Sequence, residues 1–245
     1  MQYTIKGKKK GRDVILTDDR LICEGKEYLY KDMSKISTLN FMGTSIDCTY
    51  KGRHQAFKID KSVFSEATEA AELAQKVVEQ CMLERFRSAE NLTRSDAMYR
   101  FCKENGLMEP LVPERLFCPR MDAILSSLAP GERVLLPFES KCGFGIMLNP
   151  DQQTVTSFKE QEFQCAGALT DSRIMLYTFG TMGSRERTIP LSQIYGMRNF
   201  KQGLTQCLLI VTKDMASSTA IMSLGMTEAV VMQKMISAQM GPQTQ

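Results

Sequence analysis

Histidine is nearly missing, paired cysteines are missing, and no apolar run approaches a membrane span. Among 245 residues there is one histidine, His54. A Ser–His–Asp or Cys–His arrangement would have to use it, and no Gly-x-Ser-x-Gly elbow accompanies it. Its neighbours Arg53 and Gln55 point to an exposed strand position instead. The 8 cysteines (Cys23, Cys48, Cys81, Cys102, Cys118, Cys142, Cys165, Cys207) include no Cys-x-x-Cys, the closest two lying sixteen positions apart (118 − 102). Structural zinc draws on closely spaced Cys and His, so no metal is expected. Most of these cysteines have apolar neighbours, as in Cys207-Leu208-Leu209-Ile210-Val211, and read as small buried hydrophobes.

The run 207–211 is also the longest wholly apolar stretch, far below the roughly 18 residues of a transmembrane helix. The lysines near the start are followed by no apolar h-region, so no signal peptide is expected and a cytoplasmic location is. Lys+Arg at 31 against Asp+Glu at 28 leaves a net charge of +3, too weak a field to draw the whole chain onto nucleic acid or a membrane. Any such binding must come from a local patch. With 43% apolar and 24% charged residues and a mean hydropathy of −0.22, the chain is of ordinary globular composition. Its length favours two small domains over one large one.

Internal similarity supports two. Leu16-Thr17-Asp18-Asp19-Arg20-Leu21 returns as Leu169-Thr170-Asp171-Ser172-Arg173-Ile174, 153 positions later (169 − 16). Met33-Ser34-Lys35-Ile36 is echoed by Leu191-Ser192-Gln193-Ile194 at 158 (191 − 33), placing five extra residues in a hairpin around Gly180 and Gly183. The first motif reads as strand, tight turn, strand, with the Asp bonding its own backbone. Short strands are expected at 3–6, 12–16, 21–24, 27–30, 36–41, 45–50 and 53–59, then an amphipathic helix from about 63 to 81 capped by Ser62 or Ser65. The second copy should open with a strand at 133–138, turn at 139–142, carry an inserted hairpin around Asn149-Pro150-Asp151, and close with a helix from Thr227 to about Met240. Between the copies, helices are expected at 93–106, stopped by Gly106, and at 120–128, with Pro110, Pro113 and Pro119 breaking the path. The expected organisation is domain 1 at 1–87, a helical connector at 88–127, and domain 2 with its inserted hairpin at 128–245.

A seven-stranded antiparallel sandwich closed by one helix, with Leu-Thr-Asp-x-Arg-Leu/Ile at the second hairpin, Ile189-Pro190-Leu191-Ser192-x-Ile194 downstream and Leu128-x-x-Gly131-Glu132-x-Val134 at the start of copy two, resembles the bacterial pleckstrin-homology-like domains, related in shape to GRAM domains. Copy one departs from the pattern, with Asp32 where copy two has Pro190 and no Gly-Glu opening. The resemblance implies an α+β, mainly β fold of two such domains, each closed by a C-terminal helix. In it Leu16, Thr17, Asp18, Arg20, Leu169, Thr170, Asp171 and Arg173 are fold residues. It also implies that the end opposite the helix presents loops able to take lipid headgroups or peptides.

Lys6, Lys8, Lys9, Lys10 and Arg12 crowd five cations around Gly7 and Gly11 in the first-hairpin loop, a pattern that gathers phosphate oxygens. The corresponding residues of copy two, Glu139, Ser140, Lys141 and Cys142, do not repeat it. No catalytic residue and no cofactor is expected. Gly143-Phe144-Gly145 has Leu148 where a dinucleotide loop needs its third glycine, and no helix follows. Nucleic acid is disfavoured because the basic loop lacks interleaved aromatics. The leading expectation is a non-catalytic scaffold meeting a protein partner or a second copy of itself in a bacterial cytoplasm, through sheet edges or a face bearing Met222, Met226, Met232, Met235 and Met240. The alternative is peripheral binding of anionic lipid at the inner membrane face through the basic loop.

Overall fold

The computed structural model describes residues 2–40, 43–109, 111–148, 155–180, 183–202, 205–215 and 217–240. It divides into two units, Met1–Arg85 and Phe86–Gln245. The expected turn at Asn149-Pro150-Asp151 and the centre of the Gly180 hairpin lie outside the described residues.

In the first unit, strands β1 (Tyr3–Ile5), β2 (Val14–Leu16), β3 (Arg20–Cys23) and β4 (Lys26–Leu29) form one antiparallel sheet. Strands β5 (Met33–Leu39), β6 (Ser45–Tyr50) and β7 (Arg53–Lys58) form another, and the bridge Gly7–Ile59 ties the two. Alternation along the strands puts Val14, Leu16, Leu21, Ile36 and Ile46 inside. Helix α1 (Phe64–Arg87) lays Ala67, Ala70, Ala71, Ala74 and Val78 against that core, its alanines presenting little bulk to the packed sheets. Each such fully buried Leu or Ile contributes about 1.5–3 kcal/mol. The helix is not capped by Ser62 or Ser65. A short 3-10 turn, Lys61–Val63, precedes it, and Asp60 caps that turn by accepting the Ser62 N–H at 2.9 Å.

In the second unit, α2 (Ser95–Glu104) and α3 (Glu114–Ser126) precede β8 (Val134–Leu148), β9 (Val155–Thr170), β10 (Arg173–Gly180), β11 (Gly183–Pro190), β12 (Ile194–Gln202), β13 (Thr205–Thr212), β14 (Thr219–Leu224) and α4 (Met226–Met240). The strands make one antiparallel sheet in the order β11-β10-β9-β8-β14-β13-β12. Both units are thus mainly β with a helix after the last strand, the α+β arrangement expected.

Three local expectations are corrected. Pro119 does not break a helix; it sits inside α3, which begins at Glu114, and its ring costs the helix one ladder bond without ending it. There is no turn at 139–142: β8 runs through these residues, pairing with β9 on one side and with β14 from Lys141 to Phe144 on the other. The supposed first strand and inserted hairpin are one long hairpin, its backbone re-registered by bulges between Ser140 and Cys142 and between Met147 and Leu148. The methionines are the third. Met232 and Met235 on α4 are buried, as is Met222 on β14, which packs with Cys207 and Ala220, and only Met226 of the proposed face is freely exposed.

The two Leu-Thr-Asp-x-Arg turns share hydrogen bonds made by the threonine. Thr17 Oγ1 donates to the Arg20 carbonyl at 3.1 Å and accepts the Arg20 N–H at 3.2 Å; Thr170 does the same with Arg173 at 3.0 and 3.0 Å. Farther on, the Tyr30 N–H bonds to Asp19 O and the Leu191 N–H to Ser172 O, both at 2.9 Å. The structural partner of Leu191 is therefore Tyr30, not Met33. The offset there is 161 (191 − 30), and the longer β10–β11 hairpin holds eight extra residues (161 − 153) rather than five. With that register, the fourth residues of β5 and β12 correspond, and each is held by a glutamine of the unit's closing helix. Gln75 Oε1 accepts the Ile36 N–H at 2.9 Å, and Gln233 Nε2 donates to Met197 O at 3.4 Å.

Candidate functional site

The loop between β1 and β2 is built, not slack. The Gly7 N–H donates to Asp13 Oδ1 at 3.0 Å, the Lys8 N–H to Lys58 O at 3.1 Å, and the Arg12 N–H to Lys9 O at 3.1 Å. Gly7 is required: a Cβ there would lie 2.0 Å from the Arg12 carbonyl oxygen. Gly11, at φ 78°, supplies the left-handed residue of the tight turn.

So folded, the loop walls an open pocket of about 360 Å³ lined by Lys8, Lys9, Arg12, Cys23, Glu24, Ala56, Phe57 and Lys58. Glu24 comes from the two-residue turn joining β3 to β4, where it and Gly25 have φ of 51° and 74°, the signature of a type I′ hairpin. Its carboxylate pairs with Arg12, Oε1 lying 2.5 Å from Nε. Among the described residues Lys8, Lys9 and Lys58 make no ion pair. Burial, and next the neighbouring Glu24 carboxylate, push the Cys23 thiol above its ordinary value, with Arg12 opposing. Cys23 thus contributes an apolar wall and not a thiolate.

Of the five cations expected in the loop, Lys8, Lys9 and Arg12 line the pocket. Lys6 turns to Asp60 at 3.7 Å, and Lys10 is exposed outside the lining. Sequence reasoning missed Lys58 and Glu24. Lys58 ends β7 and reaches the loop only through the Gly7–Ile59 bridge, a contact with no local sequence signal.

His54 sits on β7 with its side chain largely exposed; its Nε2 lies 2.8 Å from Asp47 Oδ2, and Ser45 Oγ donates to Asp47 Oδ1 at 2.5 Å. The carboxylate stands between hydroxyl and imidazole, so this grouping does not present a serine proton to a base.

In the second unit, Glu139 is buried on β8. Its N–H donates to Leu107 O at 2.7 Å and its Oε2 accepts the Glu109 N–H at 3.3 Å. Burial is the largest influence on its carboxyl and lifts its pKa to about 7, with the Glu109 charge adding and the Glu109 amide, Arg120 and Lys141 opposing. By contrast, burial works against Glu132 but is outweighed by hydrogen bonds from Arg173, the Ala129 amide, Thr170 and Ser172, which bring it to about 2. Glu132, from the Gly131-Glu132 opening, and Arg173 meet at 2.8 Å and pin the β8 start to the β9–β10 turn.

No protein-family model matches the chain, and no curated protein matches it. Among solved structures it is similar to the N-terminal PH domain of Vps36, at 15% identity over 46% of this chain and 82% of that one, with a TM-score of 0.35. A Vav1 structure with an allosteric inhibitor matches at 10% identity over 72% and 40%, TM-score 0.34. The DH/PH domains of p115-RhoGEF match at 11% over 75% and 51%, TM-score 0.31. The chain spans about half or less of these last two.

Proposed function

We propose that the chain is a non-catalytic binding module of tandem pleckstrin-homology-like units, and that its first unit captures the phosphate of an anionic lipid headgroup in the basic pocket. One observation carries the reading: three lysines without ion-pair partners among the described residues, Lys8, Lys9 and Lys58, converge with Arg12 on one built pocket. Cations gathered without counter-ions favour an anionic ligand. Each lysine near an anionic surface contributes about 1 kcal/mol. The three together supply about 3 kcal/mol, roughly a hundredfold in affinity. Binding on this scale is peripheral and reversible. It fits a protein acting at the inner face of a bacterial membrane, and no described helix is long and apolar enough to cross one.

Protein interaction is the second reading, favoured by the exposed Leu111 and Tyr195, 93% and 72% accessible. Flotation with phosphatidylcholine vesicles, with and without phosphatidylglycerol, separates the two. Binding only to the anionic vesicles, lost in Lys8→Ala/Lys9→Ala/Lys58→Ala and weakened by salt, supports the pocket. Absence of flotation at low salt refutes it and leaves the protein-partner reading.

A further inference from the structure

A pocket meant for a bare anion has no use for a carboxylate, yet Glu24 stands in this one. Its presence is not forced by the turn. At φ 51° the backbone is in the left-handed region, where Gly or Asn is less strained than Glu. Its carboxylate is ion-paired with Arg12 through Oε1, 2.5 Å from Nε, and Oε2 accepts no hydrogen bond among the described residues. The pocket therefore offers two kinds of recognition side by side, unpaired lysine ammonium groups for a phosphate and an open carboxylate oxygen for a hydrogen-bond donor. Ala56 and Phe57 supply apolar lining between.

We infer that Glu24 makes the pocket selective for phosphate esters that carry a hydroxyl beside the phosphate, an inference that rests on the headgroup reading above. A donor-bearing ester satisfies Glu24 Oε2 while its phosphate engages Lys8, Lys9 and Lys58. An ester of equal charge without a donor meets the same repulsion from Glu24 and gains nothing in return. Hydrogen bonds to a charged group are worth enough to separate two such ligands by roughly tenfold. Glu24 also lowers affinity for every anion, since it both neutralises Arg12 and repels the incoming charge.

The test uses the full chain and vesicles of phosphatidylcholine mixed with either phosphatidylglycerol or phosphatidylmethanol, which carry the same charge and differ in the headgroup hydroxyls. Soluble glycerol phosphate and methyl phosphate form the parallel arm. The wild type is expected to prefer the hydroxyl-bearing member roughly tenfold. Glu24→Asn, which suits the left-handed φ and is too short to hold Arg12, is expected to bind both members more tightly and nearly equally. Glu24→Gln, isosteric and uncharged, is expected to tighten binding to both while keeping part of the preference, and thermal melts confirm that both variants fold. Preference in solution but not on vesicles supports the same chemistry with a soluble ester as its source. Equal binding of both members by the wild type, or an undiminished preference in Glu24→Asn, overturns the inference alone. Failure of the wild type to bind any of the four overturns the headgroup reading beneath it.

Discussion

Replacing Glu139 by Gln should flatten a pH dependence that the wild-type second unit carries. Glu139 is 2% exposed on β8 and its pKa is lifted from 4.5 to about 7, chiefly by burial. Between those values the folded state holds a proton that the unfolded state has lost, so stability falls as pH rises through the window and levels off above about 7. At about 1.4 kcal/mol for each tenfold in proton affinity, the loss amounts to about 3 kcal/mol. Gln keeps an oxygen for the Glu109 N–H and has no proton to lose. Arg120 and Lys141, the cations facing the site, and Glu109, the facing anion, are unchanged by it. Hydrogen exchange followed by mass spectrometry on peptides of β8, corrected for intrinsic rates and run from pH 5 to 8, reads the opening free energy of this unit without mixing in the first. The wild type should lose about 2.5 kcal/mol of opening free energy across that range relative to Glu139→Gln, the rest of the window lying below pH 5. Parallel profiles for the two proteins would refute the reasoning, because they would mean that Glu139 is ionised throughout.

Glu132 behaves oppositely: its pKa of about 2 means that its contribution is present above about 4.5 and is lost as pH falls toward 2. Glu132→Gln should therefore destabilise the second unit at neutral pH by about 2 kcal/mol by leaving Arg173 half-paired, measured by the same exchange experiment. Gly7→Ala should abolish binding to anionic vesicles with the three lysines intact, because its Cβ would drive the loop off the Arg12 carbonyl; flotation at wild-type levels would contradict this. In Gly167→Ala the new methyl would lie 2.2 Å from the Phe138 ring, costing the second unit about 1–3 kcal/mol, with Phe138→Leu in the same chain recovering part of it. Under native conditions Cys81 and Cys118, half-buried, should alkylate before the buried Cys48 and Cys102, whose thiols burial raises, Cys48 to about 12; peptide mass mapping reads the order.

The first unit was legible because its strands alternate cleanly between short glycine turns; the structure places all seven within a few residues of the expected bounds. Glycines at Gly25 and Gly52 mark type I′ turns that the sequence shows directly. What escaped was non-local. Lys58 belongs to the pocket only because β7 ends beside the β1–β2 loop, and Glu24 only because its turn folds toward Arg12. The long β8–β9 hairpin reads in the sequence as separate pieces because Glu139 and Lys141 look like turn residues. Glu139 sits in mid-strand because burial favours its uncharged form and the Glu109 N–H bonds its carboxyl. Leu191-Ser192-Gln193-Ile194 matches Met33-Ser34-Lys35-Ile36 by letter, three residues away from the match to Tyr30 that the bond from Leu191 N–H to Ser172 O gives. Lys8, Lys9 and Arg12 stand out in the sequence as a cluster around Gly7 and Gly11; their convergence with Lys58 on one pocket does not.

The most direct measurement is an amide NMR titration of the isotopically labelled full chain with glycerol phosphate at low salt. The account predicts saturable shifts concentrated at residues 7–12, 23–25 and 56–58, all removed by Lys8→Ala/Lys9→Ala/Lys58→Ala. Shifts elsewhere, or none at millimolar ligand, would contradict it.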